Sequence, residues 1–107
     1  MIIITNNEDK LIDAIVALKE VEDPEIGLNV VDLGLIYQVD FDDANKKIYC
    51  TMTLTTQFCP MGESISNSVN NVLEQAFPDD EINVNVIFEP PWNSQKISAT
   101  GREFLNS

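Results

Sequence analysis

The apolar residues of this chain change their repeat several times, and each change dictates which kind of element can form. Leu11, Ala14, Ile15, Leu18 and Val21 recur at helical spacing, which predicts a first helix with one apolar face. Thr5 and Glu8 stand ahead of them in capping-box spacing, so the helix is expected to start there. Asp23-Pro24-Glu25-Ile26-Gly27 ends it and opens an irregular loop through Asn29-Val30-Val31-Asp32-Leu33-Gly34. From Leu35 the repeat falls to two, with Tyr37, Val39 and Phe41 on one side of a strand. A hairpin turn at Asp42-Asp43-Ala44-Asn45 follows, and the returning strand carries Ile48, Cys50, Met52 and Leu54 inward. Met61, Ile65, Val69, Val72 and Ala76 restore the helical period until Phe77-Pro78 stops it. Ile82, Val84, Val86 and Phe88 then alternate as a third strand, and a short helical piece is expected from Ser98, weakened by Gly101.

Elements with a single apolar face must bury those faces against one another. The order αββαβ, with a helix linking the second and third strands, implies a small mixed sheet with helices on one face. This is an α/β chain whose architecture is an α+β two-layer sandwich with a short C-terminal helical piece. At 107 residues and 44% hydrophobic content, residues 1–107 are expected to form one domain with its own core.

Charge and cysteine usage narrow the function. Six Lys+Arg against 18 Asp+Glu give a formal net charge of -12, which argues against nucleic acid or an anionic membrane as a main partner, since phosphate binding needs clustered cations. The chain has no histidine, which removes Cys-His and Ser-His dyads and His-ligated metal sites. Its two cysteines, Cys50 and Cys59, are too few for a disulfide scaffold. The N-terminus Met1-Ile2-Ile3-Ile4-Thr5 has no basic segment or long apolar run, so a soluble cytoplasmic protein is expected.

Reactive chemistry is written most clearly at Cys59. Pro60 fits the first position of a helix, because its missing N–H would be unpaired there and its φ is already helical. Cys59 then becomes the N-cap, where the helix dipole and free backbone N–H groups favour thiolate over thiol. The alternative is a small buried residue closing a turn. Cys50 alternates with Ile48, Met52 and Leu54 and is assigned to the core.

Four segments recur together in a known family. They are Asp23-Pro24-Glu25-Ile26-Gly27, Val31-Asp32-Leu33-Gly34-Leu35-Ile36, Thr53-Leu54-Thr55-Thr56 with Cys59-Pro60, and Pro90-Pro91-Trp92 followed by Ile97-Ser98. In their order and spacing the chain resembles the small iron-sulfur assembly proteins once called domain of unknown function fifty-nine, which include the SufT and PaaD proteins and the eukaryotic cytosolic iron-sulfur targeting factors. The resemblance implies a role in iron-sulfur protein maturation and a fold like the C-terminal domain of NifU-type scaffolds. It points to Cys59 as the functional thiol, places the family's acidic loop positions on Asp23 and Asp32, and places its aromatic residue on Trp92. The chain carries no C-terminal cysteine cluster, which favours a free-standing SufT-like protein over an oxygenase-associated PaaD-like one.

One cysteine supplies only one of the four or so ligands a stable cluster needs, so a cluster or iron held at Cys59 must be transient and shared. A second chain in a homodimer or a partner protein would complete the set, partners being iron-sulfur assembly proteins and client apoproteins. Asp23 and Asp32 either ligate iron or satisfy backbone N–H groups in their turns, and turn chemistry favours the second. Thr55 and Thr56 either donate hydrogen bonds to the Cys59 sulfur or a cluster sulfide, or are ordinary strand residues. Pro91 and Trp92 form a rigid corner or a partner-binding hot spot. Three functions follow: a maturation factor that carries or inserts clusters through Cys59, a non-catalytic adaptor that docks clients without binding a cluster, or a thiol-dependent enzyme. The absence of histidine and of a Cys-x-x-Cys pair counts against the last.

Overall fold

The computed structural model of the chain describes residues 3–23, 26–54, 62–89 and 92–106. Its elements run β1 (Ile4–Thr5), α1 (Glu8–Leu18), β2 (Ile36–Asp42), β3 (Lys47–Met52), α2 (Gly62–Ala76), β4 (Glu81–Val86), a 3₁₀ turn (Ser94–Lys96) and α3 (Ala99–Asn106). The strands form a four-stranded mixed sheet in the order β1-β2-β3-β4. β2 and β3 are antiparallel across the expected hairpin, where Asp42 accepts from the Asn45 backbone at 3.2 Å and from its side-chain amide at 2.9 Å. β3 and β4 are parallel, as a helical crossover requires.

The αββαβ order holds with one addition. Ile4–Thr5 form an edge strand parallel to β2, extended by the Asn6 side chain, which both donates to and accepts from the Phe41 backbone at 2.9 Å. Thr5 is therefore taken into the sheet and does not cap α1. Asn7 is the N-cap, its side-chain oxygen accepting from the Lys10 N–H at 3.1 Å. The helix ends at Leu18, before the Asp23-Pro24 signal.

One face of the sheet carries the core. Val39, Phe41, Ile48, Cys50, Met52 and Ile82 are buried, while Tyr49, Glu81 and Asn85 are exposed. Tyr37 departs from its expected place beside Val39 and Phe41. The register between β2 and β3 shifts between Ile36 and Gln38, so Tyr37 is the extra residue of a bulge and Ile36 takes the buried position opposite Met52. α1 contributes Ala14 and Leu18, with Leu11 and Ile15 half-buried. α2 contributes Ile65, Val69 and Leu73, with Val72 half-buried. Leu73 is fully buried where the sequence reading placed Ala76, which is exposed at the end of the helix; Met61 lies outside the described residues. In α3, Gly101 is no defect: a β-carbon there would lie 2.9 Å from side-chain carbons of Ile97 and Leu28, so glycine lets the helix seat on the loop.

Cys50 is a core thiol, as expected. Burial pushes its pKa from 9.0 up to about 12. Between those values an unfolded chain releases the proton and the folded chain retains it, so stability falls as pH rises through that window. A thiol-alkylating reagent near neutral pH is expected to label Cys50 only after unfolding, which mass mapping of the labelled peptides checks.

Candidate functional site

The hairpin and the parallel crossover together bring the motif segments to one end of the sheet. Because β2 is antiparallel to β3, the residues entering β2 meet those leaving β3: the Thr53 N–H donates to the Leu35 carbonyl at 2.8 Å. Because β4 is parallel to β3, its exit lies at the same end, where the Ile87 N–H donates to the Met52 carbonyl at 2.8 Å. The chain leaves toward Thr55, Thr56 and Cys59 from Leu54, the last described residue before them. Those three residues and Pro91 lie outside the described residues.

The loop that enters β2 is bound tightly to itself. Val30 donates to Val21 at 2.9 Å and Asp23 to Leu28 at 3.0 Å, while the Asp23 carbonyl accepts from Ile26 and Gly27 at 3.2 and 2.7 Å. Asp23 is 1% exposed. Both carboxylate oxygens of Asp32 are engaged: Oδ2 accepts from the Asn29 side-chain amide at 2.6 Å, and Oδ1 from the Ser98 hydroxyl at 2.8 Å. The Asp32 N–H donates to the Asn29 side chain at 2.9 Å, and its carbonyl accepts from the Ser98 N–H at 2.8 Å. Ser98 in turn caps α3, its hydroxyl oxygen accepting from the Gly101 N–H at 3.0 Å.

These bonds make residues 92–98 a strap across the Asp32-Leu33-Gly34 turn. The Trp92 indole N–H donates to the Leu33 carbonyl at 2.7 Å, and the Lys96 backbone lies directly against Gly34, whose φ of +78° is left-handed. The Lys96 ammonium sits 4.8 Å from the centroid of the Tyr37 ring that the bulge displaces. Trp92 is thus a half-buried clamp. Asp32 makes the contacts that a turn and a helix cap demand. Replacing Asp32 with alanine is expected to cost about 2 kcal/mol, since the Asn29 amide and the Ser98 hydroxyl lose a charged acceptor. Urea unfolding measures it, and Asp32→Asn should recover part of the loss.

Beside this network lies a cleft of about 240 Å³, lined by Lys19, Glu22, Leu28, Asn29, Asp32 and Phe104 among others. Among the described residues no group of three or more His, Cys, Asp or Glu side chains is placed to hold a metal ion. Among the described residues the Thr53 hydroxyl is completely buried and has no hydrogen-bond partner. Asn29, Lys96 and Ser98 as partners of the turn, and Thr53 as an orphan, escaped the sequence reading. The Asn29-x-x-Asp32 spacing is a local turn signal that could have flagged the first of these. Nothing local marks the others.

Comparison with known proteins places this arrangement in context. A family model described as iron-sulfur cluster assembly protein matches residues 13–86, ending before Trp92 and the strap. The chain is 41% identical over 78 residues to the Fe-S protein maturation auxiliary factor SufT of Staphylococcus aureus, spanning 71% of this chain and 85% of that protein. It is 38% identical over 82 residues to the Fe-S protein maturation auxiliary factor YitW of Bacillus subtilis, spanning 77% and 79%. Its fold is similar to the crystal structure of the domain of unknown function DUF59 from Bacillus anthracis, with a TM-score of 0.83 at 38% identity over 92% of this chain and 91% of that one.

Proposed function

This chain belongs to the iron-sulfur cluster assembly protein family, and on that premise we propose that it acts as an auxiliary factor in iron-sulfur protein maturation, with Cys59 as the thiolate that handles the cargo. The observation that carries the reading is the convergence of the motif segments: the entry to β2, the exit of β3 toward Cys59 and the exit of β4 toward Trp92 meet at one end of the sheet. A single thiolate completes too little of a cluster's ligand set to keep it. The cluster is therefore cargo, held while a second copy of the chain, an assembly protein or a client apoprotein supplies the remaining ligands. Open coordination positions suit handover, and no catalysed reaction is required.

The turn network supports this division of labour. Asp32 and Trp92 build a rigid frame, and the sulfur chemistry is left to Cys59, with Thr55 and Thr56 as hydroxyl donors close to it in sequence. Asp23 and Asp32 belong to the frame in this reading, their bonds serving the loop. Among the described residues no helix is long and apolar enough to cross a membrane, and we place the protein in the cytoplasm, where a free thiol such as Cys50 persists.

One observation favours the adaptor as a second reading. Phe104 and Leu105 of α3 are 54% and 42% exposed, and Phe104 lines the cleft beside Asp32, a surface on which a client could dock without any cluster passing through Cys59. Anaerobic reconstitution with iron and sulfide separates the two. Charge-transfer absorption and bound iron that vanish in Cys59→Ser and persist in Cys50→Ser support the carrier, whereas no signal in wild type, or equal signal in all three, favours the adaptor.

A further inference from the structure

The two edges of the sheet are built differently. β1 is two residues long and gives a neighbouring chain little to pair with, whereas β4 offers six residues, and among the described residues nothing pairs with its outer side. Exposed edges are ordinarily blunted by lysine, proline or a bulge. β4 has none of these: its register with β3 runs without a shift, and Ile82 to Phe88 carry no charged residue and no proline. The ladder fixes which backbone groups this edge presents. The Glu81 N–H donates to the Lys46 carbonyl and the Ile87 N–H to the Met52 carbonyl, both at 2.8 Å. Because backbone groups alternate sides along a strand, Asn83 and Asn85 also bond to β3, and the N–H and C=O groups of Ile82, Val84 and Val86 point outward. Val84 and Val86, in register with the core residues Cys50 and Met52, are half-buried, and Phe88 beyond them is 39% exposed. Apolar surface therefore runs out to an unpaired edge.

We infer that a second copy of this chain adds at the β4 edge, β4 against β4 and antiparallel about a two-fold axis at Val84, so that the two four-stranded sheets become one. The strand is symmetric about that residue: Ile82-Asn83-Val84-Asn85-Val86 reads apolar, Asn, Val, Asn, apolar in either direction. With Val84 opposite Val84 of the second copy, Ile82 falls opposite Val86. The residues whose backbone groups point outward then meet one another, and each such pair exchanges two hydrogen bonds. The side chains match as well, valine and isoleucine meeting valine on the helix side and Asn83 meeting Asn85 on the open face. Charge selects the same register. Two chains of formal net charge -12 repel, so copies join where their carboxylates stay apart. The antiparallel register sets Asp80 and Glu81 opposite Phe88 and Ile87, the uncharged end of the other strand, whereas a parallel one aligns them with their own counterparts. Because β3 and β4 are parallel, the exits of β3 in the two copies lie at opposite ends of the joined sheet, and each motif end stays open to a partner protein. The inference does not depend on the proposed function.

The test is sedimentation velocity of the full chain from about 10 μM to about 1 mM, at low and high salt, with amide hydrogen exchange as the residue-level readout. One strand pair is a small interface, so the dimer should be concentration-dependent. High salt should tighten it by at least about threefold, because screening relieves the repulsion between two acidic chains. In the concentrated sample the Ile82, Val84 and Val86 amides should exchange roughly tenfold more slowly than in the dilute one, while Asn83 and Asn85, bonded to β3 in both, stay unchanged. Val84→Pro removes an outward N–H without touching the β3 ladder, and that chain should stay monomeric with an unchanged circular dichroism spectrum. Should it not fold, the open-face asparagines decide. Neither Asn83→Asp with Asn85→Asp nor Asn83→Lys with Asn85→Lys should self-associate, and an equal mixture of the two should form the heterodimer. Wild type that is monomeric at about 1 mM in high salt overturns the inference. If its edge amides then slow on addition of an apo-ferredoxin, the edge takes a strand from a partner protein instead. Dimers whose edge amides remain fast, or that persist in each charged variant alone, also overturn it by placing the contact elsewhere.

Discussion

Gly34→Ala is expected to lower stability by about 3 kcal/mol, a fall in melting temperature of at least about 12 °C for a domain of this size. Two effects add. At φ +78° any residue with a β-carbon is strained by roughly 1–2 kcal/mol. That β-carbon would also lie 2.8 Å from Cβ of Lys96 and 2.9 Å from its carbonyl carbon, so the strap must lift. Lifting it separates Trp92 from Leu33 and Ser98 from Asp32, which are the bonds that join residues 92–98 to the turn. Gly27→Ala is the control. Gly27 has the same φ with nothing within 4 Å of an added β-carbon, so only the conformational part, the same roughly 1–2 kcal/mol, should be lost. Thermal unfolding of the two variants isolates the contribution of the strap, and equal losses would show that the Lys96 contact carries no stability. Trp92, the only tryptophan in the chain, reports the release directly through its fluorescence.

Cys59→Ser is expected to reduce activation of client iron-sulfur enzymes at least tenfold while leaving the melting temperature close to wild type. Losing even a neighbour of a metal ligand typically costs ten- to a hundredfold in affinity, so losing the ligand itself should cost no less. The stability control matters because the second cysteine behaves differently. Cys50 is completely buried, and Cys50→Ala opens a small space in the core, so that variant should unfold at a lower temperature yet mature clients normally where it is folded. The opposite signs of the two variants across the two assays separate sulfur chemistry from packing. A Cys59→Ser chain that pulls down clients and activates them fully would assign the function to its surface, with the exposed Phe104 and Leu105 as the first residues to alter.

Much of the molecule can be read from residues close together in the chain. Ile48, Cys50, Met52 and Leu54 alternate and are buried as a set, and Ile65 and Val69 stand one helical turn apart and enter the core. The hairpin at Asp42 to Asn45 forms where its turn residues stand. The misreadings have one origin. Thr5 is a good capping residue by its neighbours, yet pairing with Val39 takes it into β1. Tyr37 alternates correctly with Val39 until the bulge turns it out and brings Ile36 in. Leu73 and Ala76 are both compatible with a helical apolar face, and only the position of α2 over the sheet buries the first and exposes the second.

The candidate site divides in the same way. Local sequence singles out Cys59 as the candidate thiol, because a cysteine followed by proline ahead of a helical repeat is a short-range signal, and the ordered motifs mark the family. The sequence alone also determines the acidic surface, the absence of histidine chemistry and the order of one-faced elements, since each follows from composition or from contacts a few residues apart. Tertiary structure decided what Asp32 and Trp92 do. Asp32 meets Ser98 across 66 residues and Trp92 meets Leu33 across 59, distances at which no periodicity carries information. Whether a carboxylate is a free ligand or a bracket in a frame depends on which segments the sheet topology brings to the same end.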